Sequence, residues 1–337
     1  MNNYPYNPYG YNPQQYQEEY RRIQQNSREK REFRRRCTCV AFGIVLFIVL
    51  NYAVSMAILW PSQKLIDLYF GSMTFSLSID VIITVISLFG AYLIMRLIID
   101  RKHQAFIPLG APENKKHAVL LIPVGILACI AGSYMTYYMN RVLENVFGVT
   151  FTQPEIGDPS NLSELTLFLL CSVLVPCIFE EVALRAGALE AFRKYGDRFA
   201  IIASAFIFAI LHGNMVQMPF AFIAGLAIGY IYVVTGSIWP GVIIHFINNL
   251  TSCSTEIGNV FGVGTQAVDT FYIIYMGVFI IAGTVCAIIF LFDKKRPILN
   301  KDTSTLTFSQ KFTGFVFNVP MILSMIYLAY STSQYIE

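Results

Sequence analysis

Six side chains in the apolar middle of the chain have the types and spacing needed for acid–base chemistry. They are Glu180, Glu181 and Arg185 in the stretch CIFEEVALRAG, and His212, His245 and Asn249 further on. Charged side chains are costly inside a membrane, and they mark functional sites when they occur there. A carboxylate beside an imidazole can take a proton from water, and a second imidazole and a carboxamide can stabilise an oxyanion. The pattern predicts hydrolysis of a peptide bond by an activated water.

A metal-dependent version of this chemistry would use some of the same residues. Glu180, His212 and His245 would then be zinc ligands, with water in the open position of the site. The chain has no HExxH sequence, which is the usual helical zinc signature. The residue types alone do not separate the two versions. The sequence therefore establishes no cofactor, and Zn²⁺ is the one that the second version would require.

The spacing of these residues predicts that they share helix faces. The pairs four residues apart are Glu181 and Arg185, Phe208 and His212 in FAILH, and His245 and Asn249 in HFINN. If the chain turns at Gly196, Glu180 and His212 are equally far from the turn, about 24 Å along two antiparallel helices. His245 rises only about 12 Å from a turn near Gly236, so that turn must be buried or the helix tilted.

The elements that position these residues are membrane helices. Of the 337 residues, 55% are hydrophobic and 13% are charged, and the mean hydropathy is +0.54. Soluble domains carry about 25% charged residues. The apolar windows predict an all-α polytopic membrane protein with eight or nine transmembrane helices around an intramembrane site. The windows are 40–60, 79–99, 118–139, 163–178 with a continuation to 195, 199–212, 216–234, 238–252, 270–292 and 312–332.

Charge and composition divide the chain into four parts and orient it. We expect a disordered Tyr/Asn/Pro-rich and basic tail in 1–36, N-terminal membrane helices in 37–160, a catalytic core in 161–255 and C-terminal membrane helices in 256–337. The end of the tail, EEYRRIQQNSREKREFRRR, has the composition of a short helix lying on the membrane surface. All but two of the 24 Lys and Arg residues fall on one side of the predicted spans. The positive-inside rule therefore predicts a cytoplasmic N-terminus in an integral protein of the cell (plasma) membrane.

Three motifs in order resemble those of a known family. EEVALR, FAILH and HFINN, the last preceded by GSIWPGVII, are similar to the EExxxR, FxxxH and HxxxN motifs of the CPBP family of CAAX prenyl proteases and bacteriocin-processing or immunity (Abi) proteins. The resemblance covers roughly 163–255. It implies an intramembrane endopeptidase, and the family is commonly labelled as metalloproteases, although a metal-free glutamate mechanism competes with that label.

The resemblance also implies roles for single residues. Glu180 matches the glutamate that activates water, with His212 as its partner, and His245 and Asn249 match the oxyanion side. The catalytic set is therefore Glu180, His212, His245 and Asn249, and the supporting set is Glu181, Arg185 and Phe208. The expected partners are a peptide or membrane-protein substrate and the lipid bilayer, with no nucleic acid.

Two other classes of function use the same residues. A proton-coupled transporter would use the carboxylates as a proton relay, but it predicts an inverted repeat that the sequence does not show. A catalytically silent immunity or scaffold membrane protein would have lost motif residues, whereas every motif position is filled here. The substrate itself, whether a prenylated CAAX protein or a bacteriocin leader peptide, is left open by the sequence.

Overall fold

The computed structural model describes residues 13–99, 108–152 and 157–336. These residues form helices joined by short loops, with one isolated bridge between Phe151 and Ile336 and no strand among them, which confirms the all-α class. In chain order the helices are α1 (Pro13–Leu59), α2 (Gln63–Gly71), α3 (Met73–Ile99), α4 (Lys115–Phe147), α5 (Leu162–Tyr195), α6 (Asp197–Leu211), α7 (Met218–Thr235), α8 (Trp239–Ser252), α9 (Ser254–Val260), α10 (Thr265–Phe292), α11 (Phe308–Val316) and α12 (Val319–Ser333).

The described helices do not confirm the predicted eight or nine spans. Six of them, α1, α3, α4, α5, α7 and α10, are long and apolar enough to cross a membrane. A seventh span results if α11 and α12, which meet at a bend of 62°, are counted as one. The predicted spans 199–212 and 238–252 correspond to α6 and α8, which have only 15 and 14 residues. Each is about 22 Å long, which is short of a hydrocarbon core of about 30 Å.

The N-terminal segment differs from the expected disordered tail and surface helix. α1 runs without a break from Pro13 to Leu59, so residues 13–36 are the first half of the helix that forms the first span. The segment is rich in Gln, Glu, Lys and Arg, which favour helix, and neither Pro nor Gly interrupts it before Gly43. Residues 1–12 lie outside the described residues. The other boundaries of the four-part division stay predictions.

The first half of α1 packs on the turn between α5 and α6. The ring of Phe33 lies 4.7 Å from that of Tyr195 and 5.5 Å from that of Phe199, measured between centroids. Arg36 donates a hydrogen bond to the carbonyl of Ala191 at 3.2 Å. Lys311 of α11 donates to the carbonyl of Tyr195 at 2.8 Å. These contacts hold the end of the helix that carries both glutamates.

Candidate active site

The two glutamates lie in a helix that is widened on both sides of them. α5 is π-helical over Leu170–Leu174 and again over Val182–Leu189, and the α-helical stretch between, Val175–Glu181, carries Glu180 and Glu181. Segments with π geometry are rare and are frequent at functional sites. Pro176 accounts for the first of them, since it has no N–H to donate to the carbonyl four residues earlier.

Glu181 and Arg185 form the buried pair that their spacing predicts. Both side chains are fully buried, and Arg185 donates from Nε to Oε2 at 2.9 Å and from Nη2 to Oε1 at 3.2 Å. A third bond runs from Arg185 Nη1 to Ser204 Oγ of α6 at 3.0 Å, and Ser204 donates in turn to the carbonyl of Leu184 at 3.2 Å. The guanidinium also lies 5.6 Å from the ring centroid of Phe208. A buried charge is tolerable only with such partners.

His245 of α8 lies between the two glutamates. Its Nδ1 is 3.3 Å from Glu181 Oε1, and its Nε2 is 3.9 Å from Glu180 Oε2. The Glu180 side chain retains 24% of its exposure, whereas that of Glu181 retains none. An ionised carboxylate only accepts hydrogen bonds, so Nδ1 is the protonated nitrogen of His245 and Nε2 faces Glu180. Of the two acids, Glu180 is therefore the one with room for a water.

His212 ends α6 at the edge of this group. Its Nδ1 lies 2.9 Å from the carbonyl oxygen of Phe208, which can only accept, so Nδ1 carries the proton. The Phe208 ring is 4.8 Å from the His212 ring and 5.7 Å from the His245 ring, between centroids. Among the described residues, a ring nitrogen of His245 lies within 4 Å of the Glu180 carboxylate, and no ring nitrogen of His212 does. The sequence predicts His212 as the partner of Glu180, whereas in the structure the imidazole beside Glu180 is that of His245.

Asn249 holds α8 against α5. Its Nδ2 donates to the carbonyl of Ser172 at 3.1 Å. Ser172 lies four residues before Pro176, so its carbonyl lacks the donor that it would have in a regular α-helix. The carboxamide supplies that donor. Its Nδ2 is therefore already engaged, and the contact that the structure shows for Asn249 is one between helices.

The turn before α8 is buried, which explains how a short helix brings His245 to the glutamates. Thr235 and Ser237 are fully buried. Segment 108–114 covers them, because the Glu113 N–H donates to the carbonyl of Thr235 at 3.1 Å and Ser237 Oγ donates to the carbonyl of Gly110 at 2.7 Å. The sequence requires a buried turn or a tilted helix here, and the structure has the turn buried beneath this segment.

The comparison with known families falls on this group of helices. Residues 162–251 match the family model for type II CAAX prenyl endopeptidase Rce1-like proteins. The match confirms the family resemblance that the three motifs indicate. It begins at the start of α5 and ends within α8. No curated protein and no solved structure matches the chain. The matched segment is about a quarter of the chain, and the long apolar helices around it indicate an integral membrane protein.

The Rce1-like segment does not present a metal-ligand set. Within the described parts of the chain, no three His, Cys, Asp or Glu side chains are grouped so that they could hold a metal ion. His245 and His212 each use Nδ1 in a hydrogen bond and leave Nε2 open, as a metal-bound histidine does. Glu180, His212 and His245, the ligands of the zinc version, are nevertheless not grouped closely enough to bind one ion, and that version does not fit this geometry.

Three residues of the Rce1-like segment were not predicted from the sequence as parts of the site. Ser204 is the third partner of Arg185, and Pro176 frees the carbonyl that Asn249 binds. Gly241 lies where α8 meets the acid, since an added Cβ would be 3.0 Å from Glu181 Oε2 and 2.6 Å from Ile228 Cγ2. A Pro inside an apolar window was a usable signal for Pro176. Ser204 and Gly241 carry no such signal, because small residues are common in membrane helices.

Proposed function

We propose that this protein is an intramembrane endopeptidase that hydrolyses a peptide bond with a water activated by Glu180. The observation that carries the proposal is the position of Glu180, which is partly exposed and 3.9 Å from His245 Nε2 within the segment that matches the Rce1-like family. The family match supports a CAAX-type intramembrane protease. The roles of single residues are our proposal.

The geometry suits one water held between Glu180 and His245. Glu180 Oε2 and His245 Nε2 are 3.9 Å apart. A single water beside the gap can donate one hydrogen bond to each of them, with both bonds about 2.8 Å long. Glu180 takes one proton from this water as its oxygen attacks the carbonyl carbon of the substrate. The same proton then passes to the nitrogen of the leaving amine as the C–N bond breaks.

Glu181 and Arg185 act in this proposal by positioning His245. Glu181 is fixed by two bonds from Arg185 and in turn fixes the Nδ1 side of the imidazole. This leaves the Nε2 lone pair of a neutral His245 facing Glu180 and the water. Such an arrangement resembles the way in which a carboxylate orients a catalytic histidine elsewhere. The helix pair α5–α8 is thereby organised before substrate binds.

His212 and Asn249 have different places in the proposed reaction. A neutral His212 keeps its proton on Nδ1, so its Nε2 accepts a proton or a hydrogen bond from the substrate side. Asn249 uses Nδ2 to hold Ser172, so the proposal gives it a positioning role, and its predicted action on the oxyanion depends on the second hydrogen of the same amide group. Phe208 supports both imidazoles through ring contacts.

The substrate class follows from the family name only as a proposal. A type II CAAX prenyl endopeptidase acts on a prenylated CAAX polypeptide, and a bacteriocin-processing or immunity role is the alternative within the wider family. The distribution of Lys and Arg favours a site reached from the cytoplasmic side of the cell membrane. Both statements stay predictions.

The test compares purified wild type with Glu180→Gln on a peptide library that includes prenylated and unprenylated CAAX sequences, with and without a chelator. We expect cleavage by the wild type in the presence of chelator and a loss of at least about 100-fold in the variant, the usual size of a general-base effect. Equal cleavage by the two proteins would remove Glu180 from its role. Loss of wild-type activity on chelation, with recovery on adding zinc, would restore the metal version.

A further inference from the structure

The N-terminal half of α1 extends well beyond the membrane. The apolar part of α1 runs from Val40, which is buried, to Leu59. This stretch is long enough to cross a hydrocarbon core of about 30 Å. The helix begins at Pro13, so it projects by roughly 40 Å on the N-terminal side. The projecting part continues the membrane-spanning part without a break, because α1 is one uninterrupted helix.

One face of this projection is fastened to the rest of the protein. Glu29 accepts hydrogen bonds from Thr305 N at 2.7 Å and Oγ1 at 2.8 Å. Glu32 pairs with Lys194 and with Arg36, and Phe33 is 1% exposed among the aromatic rings of the α5–α6 turn. The helix is therefore held in one rotation about its axis, and its other side always faces outward.

The outward face carries arginines and no acid between Gln24 and Thr38. We call Arg28, Arg31, Arg34 and Arg35 the arginine stripe; all four are exposed. At about 100° per residue they fall within an arc of roughly 120° whose centre lies opposite Glu29 and Phe33, with Arg28 at the edge nearest to Glu32. Within the described residues, Arg35 donates to the carbonyl of Ile99 at 3.3 Å, and the other three have neither a hydrogen bond nor an ion pair.

The height of the stripe distinguishes a polypeptide from a lipid surface. Arg35 and Arg34 lie roughly 8–9 Å beyond Val40, at the edge of the headgroup layer, whereas Arg31 and Arg28 lie roughly 14 and 18 Å beyond it. Lipid headgroups can reach the first two. An extended or helical chain lying along α1 can contact all four. Arginine also pairs with carboxylates through two parallel hydrogen bonds, which lysine cannot do.

We propose that the arginine stripe docks an acidic segment of another polypeptide on the side of the membrane where α1 begins. Carboxylates spaced along one face of that segment would pair with the guanidinium groups of the four arginines, whose Cα positions the helix holds at fixed spacing. The four arginines lie on α1 and none belongs to the candidate active site, so the proposal does not depend on the catalytic one.

The test uses the full chain in phosphatidylcholine nanodiscs and a fluorescein-labelled peptide of alternating Glu and Ser, with a Gln/Ser peptide as its uncharged control. The stripe variant is Arg28→Gln/Arg31→Gln/Arg34→Gln. The matched control, Lys294→Gln/Lys295→Gln/Lys301→Gln, removes three exposed charges from the loop between α10 and α11. Fluorescence anisotropy at low ionic strength gives the Kd, and the thermal midpoint of each protein confirms its folding.

We expect the Glu/Ser peptide to bind wild type and the Lys variant equally, and to bind the stripe variant about tenfold more weakly, since three exposed pairs are lost. Binding to wild type should fall with salt. Equal binding by wild type and the stripe variant, or equal weakening in both variants, would overturn the proposal. The proposal would also be wrong if neither protein binds the peptide while phosphatidylserine, added in detergent, raises the Tm of wild type but not of the stripe variant. The stripe would then bind lipid headgroups.

Discussion

Glu180 and Glu181 are neighbours in the chain, but their surroundings differ in two measurable ways. Glu181 is fully buried and takes two hydrogen bonds from Arg185, whereas Glu180 keeps 24% of its exposure and has His245 Nε2 at 3.9 Å. The Glu181 carboxylate is bonded to Arg185 and His245 and has no exposed surface through which a water could reach it. This difference is why we propose Glu180 as the acid that activates water and Glu181 as a residue that positions its neighbours.

Replacing Glu181 should lower stability far more than replacing Glu180. Glu181→Gln leaves the Arg185 guanidinium buried without a counter-charge, and removal of one partner of a buried pair costs about 3–5 kcal/mol. Thermal unfolding in detergent should show a clearly lower Tm for Glu181→Gln and an almost unchanged Tm for Glu180→Gln. A Glu181→Gln protein as stable as wild type would show that Arg185 finds solvent or another partner, contrary to its full burial.

At the scale of the helices, α5 and α8 are joined by a hydrogen bond at an irregular point of α5. Pro176 leaves the carbonyl of Ser172 without its usual donor, and Asn249 supplies one from the neighbouring helix at 3.1 Å. The π-helical stretch Leu170–Leu174 lies at this point. The defect in one helix thus specifies where the next one packs, and with it the distance of His245 from the glutamates.

A double substitution should separate this bond from other effects of Asn249. Asn249→Ala leaves the Ser172 carbonyl without a partner, which we expect to cost about 1–3 kcal/mol of stability. In the Pro176→Ala background the backbone N–H of residue 176 becomes available to that carbonyl. Asn249→Ala should therefore cost less stability in that background than in the wild type. Unfolding free energies of the four proteins of this cycle give the coupling. Strictly additive losses would mean that Asn249 does not stabilise α5 through Ser172.

The pairing of α6 with α7 depends on one glycine of the GLAIG sequence more than on the other. A Cβ added at Gly225 would lie 2.9 Å from Ala205 Cα, which is backbone, whereas at Gly229 the nearest atom is Ile201 Cγ2 at 3.4 Å. Gly225→Ala should therefore push α7 from α6 and lower stability by about 1–3 kcal/mol, and Gly229→Ala should be tolerated. Gly277→Ala is the control, because no atom lies within 4 Å there. Equal Tm shifts at Gly225 and Gly277 would contradict the close packing.

At the scale of the whole molecule, the sequence predicts the composition of the site better than its connections. The motif spacing correctly pairs Glu181 with Arg185 and places both on a membrane helix, because that pairing is local. It does not predict that His245 rather than His212 faces Glu180, since this depends on a turn at Ser237 buried by a distant loop. Hydropathy windows likewise count α6 and α8 as spans because both are strongly apolar, although the helices have only 15 and 14 residues.

Hydropathy windows also do not predict that α1 is one continuous helix, because its first half is polar. The contacts of Phe33 show what this continuity does for the fold. The composition of 13–36 is typical of a solvated segment, and only the contacts of its inner face reveal that it is fixed. Phe33 is 1% exposed and contacts the rings of Phe192, Tyr195 and Phe199. Those three residues form the turn that ends α5 and begins α6, the two helices carrying Glu180 and His212.

Phe33→Ala should therefore destabilise the α5–α6 turn and reduce activity without touching the site. Truncation of a fully buried Phe costs about 3–5 kcal/mol, and here the loss falls on the contact between α1 and the turn. Hydrogen exchange should become faster at residues 191–199, and any Glu180-dependent cleavage should fall with it. Phe42→Ala, a 41% exposed position on the same helix, is the matched control. If both substitutions leave exchange at 191–199 unchanged, the first half of α1 does not brace the turn, and the site is held by α5 and α8 alone.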